Sequence, residues 1–260
     1  MDFIFHAGDV GELWVIDQLS SIAPVFAVHG NDDSDDSQRE LPYQHMVAAA
    51  GRRILLTHSH FPNRDDEWAF RKLDGWGGKL DRRSNMARRA GASICVFGHS
   101  HVPMVKVHEG VLLVNPGAIA SGNLLTKQTL RSVAMLDLSV GQDAGVTHIN
   151  IADGKPFVPH IDWDAGYRVA YNNTQESILP EWLRERWDQL NTIALPEWPR
   201  FRAALLRAGS QVWSGALPLV TPELLLSELD KEPLPEAVRA QVRQVLTQVS
   251  WTQSGSPSSA

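Results

Sequence analysis

Four short apolar runs in the first part of the chain each end at a turn residue, followed within a few positions by a side chain that can bind a metal ion. The runs occupy residues 3–5, 25–28, 54–56 and 94–97. Their branched and aromatic residues predict buried β-strands. Because the loops at one end of an α/β sheet meet in a crevice, the polar side chains that follow these strands are predicted to converge.

The candidate metal ligands after the four runs are Asp9, Asn31, His58, His99 and His101. One carboxylate, one amide and three imidazoles form a mixed oxygen and nitrogen set, which suits Mn, Fe, Zn or Ni better than Ca. Glycines stand beside three of these residues, at positions 8, 30 and 98. Glycine permits the tight backbone that turns a short side chain back over the sheet edge.

Each of these features taken alone has an ordinary structural explanation. The pairs Gly8-Asp9 and Gly30-Asn31 are typical of turns, and His58 alone is typical of a capping or core histidine. Two imidazoles two residues apart at a strand end, His99 and His101, are seldom needed for packing. All of them in one order, each after a strand, favour a metal site.

Composition limits the classes of protein that remain. Of the 260 residues, 43% are hydrophobic and 21% charged, which is typical of a folded globular chain. The net charge of −6 argues against an extended nucleic-acid surface. No apolar run reaches the roughly 18 residues of a membrane span, and no signal peptide is recognisable. The single cysteine, Cys95, excludes an internal disulfide framework and favours a reducing, cytoplasmic location.

The pattern of the first part predicts an α/β fold with two sheets flanked by helices, over residues 1–152. A fifth strand is expected at 111–114, helices at 12–21 and 81–90, and further strands up to residue 151. Residues 153–165 are rich in Pro, Gly and Asp and read as a connector.

The second part, residues 165–252, is predicted to be a helical extension rich in tryptophan. Helices are expected at 181–190, at 198–208, after the N-cap Thr221 and Pro222, and at 235–249. Residues 253–260 are predicted to be a disordered tail. The extension is expected to pack on the sandwich, to cover the site or to form a homo-oligomer interface.

Five short motifs carry a resemblance to a known family. They are His6-Ala7-Gly8-Asp9-Val10, His29-Gly30-Asn31-Asp32-Asp33, Thr57-His58-Ser59-His60, Gly98-His99-Ser100-His101 and Asn115-Pro116-Gly117-Ala118. In this order they resemble the successive motifs of calcineurin-like metallophosphoesterases, most closely the small prokaryotic phosphodiesterase branch. The resemblance covers about residues 2 to 150. It implies a two-layer β-sandwich with flanking helices and a site for two metal ions at the strand ends.

The resemblance also implies a role for each candidate ligand. Asp9 would bridge both metals, Asn31, His58 and His99 would complete the second metal, and His101 would serve the first. Asn31 is also a candidate phosphate contact. So is His60, for which a surface histidine is an equally good explanation. The segment 115–117 resembles the loop that borders the site.

Two departures from the family pattern modify this expectation. The family begins with a strand ending in Asp-x-His, which gives the first metal two ligands, and no such motif precedes Asp9 here. The sequence therefore predicts one tightly bound ion instead of two, and low activity for the chain as given.

Many members carry a proton-donating histidine where this chain has Asp32. A carboxylate beside cations stays ionised and donates protons poorly, which favours diesters with good leaving groups.

Two functions of different classes follow. The first is hydrolysis of phosphoesters, mainly small phosphodiesters, by a hydroxide activated by manganese or a similar divalent metal. The alternative is a non-catalytic protein-interaction scaffold on the same fold, with a degenerate metal site and the helical extension as the docking element.

Overall fold

The strands of the protein form at the predicted apolar runs and at several further segments. The structure is a computed structural model that describes residues 1–120 and 124–247. Its strands are β1 (Ile4–His6), β2 (Val25–Ala27), β3 (Gln44–Ala49), β4 (Arg52–Thr57), β5 (Ile94–Phe97), β6 (Met104–His108), β7 (Val111–Asn115), β8 (Thr126–Gln128), β9 (Ser132–Asp137), β10 (Gly145–Asn150), β11 (Pro156–Phe157) and β12 (Gln175–Ser177). The five predicted strands are β1, β2, β4, β5 and β7.

The helices are distributed between two parts of the chain. They are α1 (Trp14–Ser20), α2 (Asp35–Glu40), α3 (Arg64–Lys72), α4 (Trp76–Arg89), α5 (Tyr167–Asn172), α6 (Glu181–Glu185), α7 (Trp187–Ala194), α8 (Trp198–Trp213), α9 (Pro222–Leu229) and α10 (Glu236–Thr247), with a 3₁₀ turn at Leu195–Glu197. Two units result. The first contains residues 1–120 and 128–174, and the second contains the described parts of 121–127 and 175–260.

A five-stranded sheet in the order β3-β4-β5-β7-β6 is the centre of the first unit. The inner strands β4, β5 and β7 are parallel, and both outer strands are antiparallel to their neighbours. Successive side chains of a strand point to opposite faces. Ile54 and Leu56 therefore pack in one core, while Leu55 packs in another.

The two faces of the central sheet are covered differently. One face packs on apolar residues of β9 and β10. Strand β10 pairs with β9 on one side and with β11 on the other, so these strands form a second, three-stranded sheet. The other face packs on α4 through Trp76, Leu80 and Ala87. The first unit is therefore a two-layer β-sandwich with flanking helices, as the sequence predicted.

Helix α4 begins five residues earlier than the sequence predicted. Gly77 and Gly78 lower intrinsic helix propensity at its start, so the local signal pointed to residue 81. Trp76 and Leu80 bury against the sheet in the same core, and this tertiary packing outweighs the weak propensity. Helix α3 was not predicted.

Residues 153–174 belong to the first unit. Trp163 and Tyr167 contact Trp76 with ring centroids 4.9 and 5.4 Å apart. Strand β11 also pairs with β10. These contacts place the predicted connector and α5 in the first unit, and the second unit resumes at Gln175.

The second unit is mainly helical around its own core, with large buried side chains from α6, α7, α8 and α9. Thr221 caps α9 as predicted, because its Oγ1 accepts a hydrogen bond of 3.2 Å from the Leu224 N–H. The helix predicted at 181–190 is divided at Arg186 into α6 and α7. Strand β12 pairs with β8. The predicted tail 253–260 and residues 248–249 of the last predicted helix lie outside the described residues.

Within residues 1–120 and 124–247, no helix is long and apolar enough to cross a membrane.

The ammonium group of Lys79 is buried in the first unit. Its Nζ lies 4.6 Å from the ring centroid of Phe70 and 4.5 Å from that of Tyr167. Burial and the nearby Arg83 lower the pKa of Lys79 to about 8.

We expect Lys79→Met to be more stable than the wild type at pH 7, and this advantage to shrink as the pH rises. Between pH 8 and the usual lysine pKa near 10.5 the unfolded wild type binds a proton that the folded wild type has lost, so wild-type stability rises with pH. The gap in unfolding free energy should fall by roughly 1 to 2.5 kcal/mol between pH 7 and pH 10. Urea unfolding at both pH values measures it. Lys106→Met is the control, since Lys106 also lies over a ring, that of Trp163, but is less buried. A gap independent of pH would contradict the prediction.

Candidate metal site

Two parallel strand pairs direct the candidate ligands to one edge of the first unit. In the pairing of β4 with β5, Thr57 lies opposite Phe97, so the chain leaves both strands at the same level towards His58 and His99. In the pairing of β1 with β2, His6 lies opposite Ala27. Parallel strands run in the same direction, so the loops at their ends are neighbours.

Three of the predicted residues are in direct contact. The Nε2 atom of His58 lies 3.1 Å from Asp9 Oδ2. The same nitrogen lies 3.2 Å from His99 Nδ1. Three atoms that can bind a metal, from three separate loops, therefore lie together: Asp9 Oδ2 and His99 Nδ1 both contact His58 Nε2.

The remaining ring nitrogens of both histidines face acceptors away from this meeting point. His58 Nδ1 donates to the carbonyl oxygen of Ala7 at 2.7 Å, and His99 Nε2 donates to Glu67 Oε1 at 2.6 Å. A neutral imidazole has one N–H, and these acceptors take it. In the neutral rings the two nitrogens that face each other both present lone pairs. When His58 is protonated, its Nε2 carries a hydrogen that it donates to Asp9 Oδ2.

Asn31 lies in a loop that is attached to Asp9. The backbone N–H of Asp32 donates to Asp9 Oδ1 at 2.9 Å, and a Cβ at Gly30 would collide with the Asp9 carboxylate. Asn31 Oδ1 is buried and has no hydrogen-bond partner. Buried polar atoms without a partner are uncommon in folded proteins, and an amide oxygen is a suitable metal donor.

The other predicted residues are His101, whose charge interacts with this group, and His60, whose ring lies beside it. The charges of Asp9 and His58 affect the pKa of His101, which burial lowers. The His60 ring is 5.4 Å from that of His58 and 6.3 Å from that of His99. Burial, followed by the charge of His58, lowers the pKa of His60 to about 4. Its Nδ1 is buried without a partner.

The charges of the three contacting residues depend on one another. Burial opposes ionisation of Asp9, but its hydrogen bond and charge attraction with His58 hold the Asp9 pKa well below the usual value. Burial acts to lower the pKa of His58, and Asp9 outweighs it, so the net change is upward. Burial lowers the pKa of His99 to about 4, although the hydrogen bond to Glu67 opposes the change. An ionised carboxylate and a neutral imidazole are the forms that bind metals.

The backbone around the site adopts an uncommon conformation. Asp9, Ser59, His99 and His101 have φ values of 52°, 75°, 66° and 55°. Positive φ is unusual for residues with a Cβ, and such strain tends to cluster at functional sites. The loop 98–101 is held by Asn115, whose Nδ2 donates to Gly98 O at 3.1 Å and to Ser100 Oγ at 2.8 Å.

As the side chains stand, no group of three or more His, Cys, Asp and Glu residues within the described ranges is arranged to hold a metal ion. The donors of Asp9, His58 and His99 instead touch one another, so an ion would have to replace these contacts. Two features nevertheless suit an ion. An ion would take the place of the proton on His58 Nε2, beside Asp9 Oδ2 and His99 Nδ1, and Asn31 Oδ1 has no hydrogen-bond partner. The residue types therefore fit a divalent metal.

Two carboxylates were given no role in the sequence analysis but support the site in the structure. Glu67 binds His99 from the first turn of α3. Asp33 belongs to one of the five motifs but was given no role in the sequence analysis, and it accepts hydrogen bonds from the backbone of two loops. Helix α3 does have local signals at both ends. Asn63 precedes an acidic first turn, which is a helix start signal, and Arg71 and Lys72 in the last turn are a stop signal. These signals would have revealed α3. No local signal connects either carboxylate to its partner.

Asp33 connects the loop of Asp9 to the loop of Asn31. It is buried, and its two oxygens accept hydrogen bonds from the N–H groups of Gly11 at 2.6 Å and Gly30 at 2.7 Å.

We expect Asp33→Ala to lower the free energy of unfolding by roughly 2 to 4 kcal/mol, because it leaves two backbone donors without their partner. Chemical denaturation of both proteins measures the change. Asp35→Ala is the matched control, since Asp35 is exposed in the first turn of α2 and should cost at most about 1 kcal/mol. Equal losses in the two variants would show that Asp33 does not connect the loops.

Comparisons with known proteins agree with the motif order. The model of the calcineurin-like phosphoesterase superfamily domain matches residues 1–141. A probable metallophosphoesterase of Methanothermobacter thermautotrophicus is 28% identical over 118 residues, which are 45% of this chain and 60% of that protein. The probable metallophosphoesterase YsnB of Bacillus subtilis is 32% identical over 120 residues, 46% of this chain and 60% of that protein. The matched region thus spans about 60% of the length of these relatives.

Solved structures give weaker matches. Wild-type Vps29 of Entamoeba histolytica, complexed with zinc, is 18% identical with a TM-score of 0.46, covering 63% of this chain and 83% of that one. A predicted phosphoesterase of Streptococcus pneumoniae is 20% identical with a TM-score of 0.42, covering 60% of this chain and 78% of that one.

The family model covers more than half of the 260 residues and includes the loops of Asp9, Asn31, His58, His99 and His101. The chain belongs to the calcineurin-like phosphoesterase superfamily.

Proposed function

We propose that this protein hydrolyses phosphoesters, and phosphodiesters in particular, with a divalent metal ion held by Asp9, Asn31, His58 and His99. The observation that carries the proposal is the meeting of Asp9 Oδ2 and His99 Nδ1 at His58 Nε2, at 3.1 and 3.2 Å. Membership of a phosphoesterase superfamily supplies the reaction class. The curated relatives, named as probable metallophosphoesterases, support the same class.

The bound ion would neutralise charge on the phosphoryl oxygens of the substrate and lower the pKa of a nearby water molecule. The residues of the chain do the rest. Asp9 and the neutral imidazoles of His58 and His99 would hold the ion, and the amide of Asn31 would orient a phosphoryl oxygen. His60, whose ring lies 5.4 Å from that of His58, would contact the phosphate.

The preference for diesters follows from Asp32, which takes the position of the proton-donating histidine of many family members. It is exposed, and its backbone N–H is bound to Asp9. An ionised carboxylate there would not protonate a departing oxygen. Esters whose leaving group is already a weak base should therefore react fastest.

The expected result with purified protein is turnover of an activated diester, bis(p-nitrophenyl) phosphate, in the presence of Mn²⁺, and little turnover without added metal or with an unactivated monoester. Asp9→Asn and His58→Asn should each reduce kcat/KM by roughly 100-fold or more, since a metal ion contributes several kcal/mol to such reactions. His160→Asn is the control, because His160 is exposed and belongs to no part of the proposed site. Activity that survives Asp9→Asn would disprove the ligand assignment.

Metal content provides a separate check. Four proposed donors would bind one ion, while among residues 1–120 and 124–247 the proposal leaves only Asp9 and His101 for a second. We expect about one tightly bound divalent ion per chain, by elemental analysis after dialysis, and loss of that ion in His99→Asn. Two tightly bound ions would contradict this count.

The non-catalytic scaffold stays the alternative. It would be favoured by a wild-type chain that binds no divalent ion and hydrolyses neither mono- nor diesters. The choice of manganese, the cytoplasmic location and homo-oligomerisation through the helical extension also stay predictions.

A further inference from the structure

Glu67 is a buried carboxylate in the first turn of α3, and its hydrogen bonds leave it little freedom. Its Oε1 accepts from His99 Nε2 at 2.6 Å and from Arg71 Nε at 2.6 Å. Its Oε2 accepts from the backbone N–H of Phe61 at 2.9 Å. Only 11% of the Glu67 side chain is exposed. Both oxygens are thus occupied, and the carboxylate is held by its own helix and by the loop after β4.

This fixed carboxylate determines how the imidazole of His99 can be oriented. A carboxylate accepts hydrogen bonds and donates none, so the proton of the neutral His99 ring is placed on Nε2. The lone pair then lies on Nδ1, the atom that faces His58 Nε2 at 3.2 Å. With the opposite tautomer, Nδ1 would carry a hydrogen and could not donate electrons to an ion.

We propose that Glu67 is a positioning residue: it holds His99 in the Nε2–H tautomer and directs its Nδ1 lone pair at the donor group formed with Asp9 and His58. The inference rests on the proposed metal-dependent function. A carboxylate behind a ligating histidine fixes the ring and raises its basicity, and losing one typically costs 10–100-fold in metal affinity.

Arg71 distinguishes this arrangement from a simple helix ion pair. Its Nε donates to Glu67 at 2.6 Å. Its Nη2 lies 3.4 Å from His99 Nε2, but a guanidinium only donates, so this contact is not a hydrogen bond when Nε2 carries the proton that the carboxylate accepts at 2.6 Å. With 48% of its side chain exposed, Arg71 remains in contact with solvent. If Glu67 served only to stabilise α3, its ion pair with Arg71 on the same helix would be sufficient. Glu67 also contacts His99, on a different loop, at the same distance of 2.6 Å.

The first test needs no metal. Long-range proton–nitrogen correlation of ¹⁵N-labelled, metal-free protein at pH 7 reports which imidazole nitrogen is protonated, and His99→Gln identifies the resonances. We expect His99 to be protonated at Nε2 in the wild type, and to show a mixture of tautomers in Glu67→Ala. Asp66→Asn removes a charge from the neighbouring, exposed position of the same helical turn and should change nothing. An unchanged tautomer in a folded Glu67→Ala protein would overturn the proposal.

The second test measures affinity for Mn²⁺ and Zn²⁺ by titration calorimetry. Glu67→Ala should bind 10–100-fold more weakly than the wild type, and Asp66→Asn should bind like the wild type. Glu67→Gln keeps the size and one acceptor oxygen, so it should retain the tautomer with an intermediate affinity. It replaces Glu67→Ala should that variant fail to fold. Equal affinity of wild type and both Glu67 variants would overturn the proposal.

The two tests separate this proposal from the proposed function. A wild-type chain that binds no divalent ion would refute the metal-dependent function, while the tautomer of His99 would still decide whether Glu67 positions it. A wild-type chain that binds metal, with an unchanged tautomer and affinity in Glu67→Ala, would refute only the role of Glu67.

Discussion

The parallel alignment of neighbouring strands is the constraint on which the candidate site depends. In β4 and β5 the last paired residues, Thr57 and Phe97, end at the same level. The chain after each strand therefore enters the same space, where His58 and His99 come into contact. Strands β1 and β2 do the same for the loops of Asp9 and Asn31. Backbone pairing thus brings the loops together, and the side-chain conformations of Asp9, His58 and His99 then set the distances between their donor atoms.

Close convergence limits which residues the loops can contain. A Cβ at Gly8 would collide with the His58 ring, and Gly8 has a φ of +90°, which only glycine adopts readily. Positive φ also occurs in the loops of the site at four residues that carry a Cβ, namely Asp9, Ser59, His99 and His101. The site is therefore built at a conformational cost, which the rest of the first unit must offset through the cores on both sides of its central sheet.

Three carboxylates at or beside the candidate site are held by different partners. Asp9 pairs with His58, and Asp33 accepts two backbone hydrogen bonds. Glu67 binds His99, Arg71 and a backbone N–H. A buried charge without partners is costly, so each carboxylate organises the groups around it. The superfamily fold alone does not specify an activity; the arrangement of these donors is what supports the proposed hydrolysis.

The sequence by itself determined the elements whose signals are local. Apolar runs predicted β1, β2, β4, β5 and β7, and Thr221 predicted the start of α9. The order of the motifs identified the family. These features depend on backbone periodicity, capping and short spacings, all of which are contained within a few neighbouring residues.

Only the tertiary structure decided the features that depend on distant partners. Trp76 contacts Trp163 and Tyr167, and these contacts place both residues in the first unit. Trp76 is also the first residue of α4, ahead of two glycines, because its burial outweighs the low local helix propensity. The acceptor behind His99 is a glutamate 32 positions earlier, on a helix that was not predicted. A sequence pattern indicates which residues can donate, accept or bind. Which of them meet is set by strand pairing and packing between segments far apart in the chain.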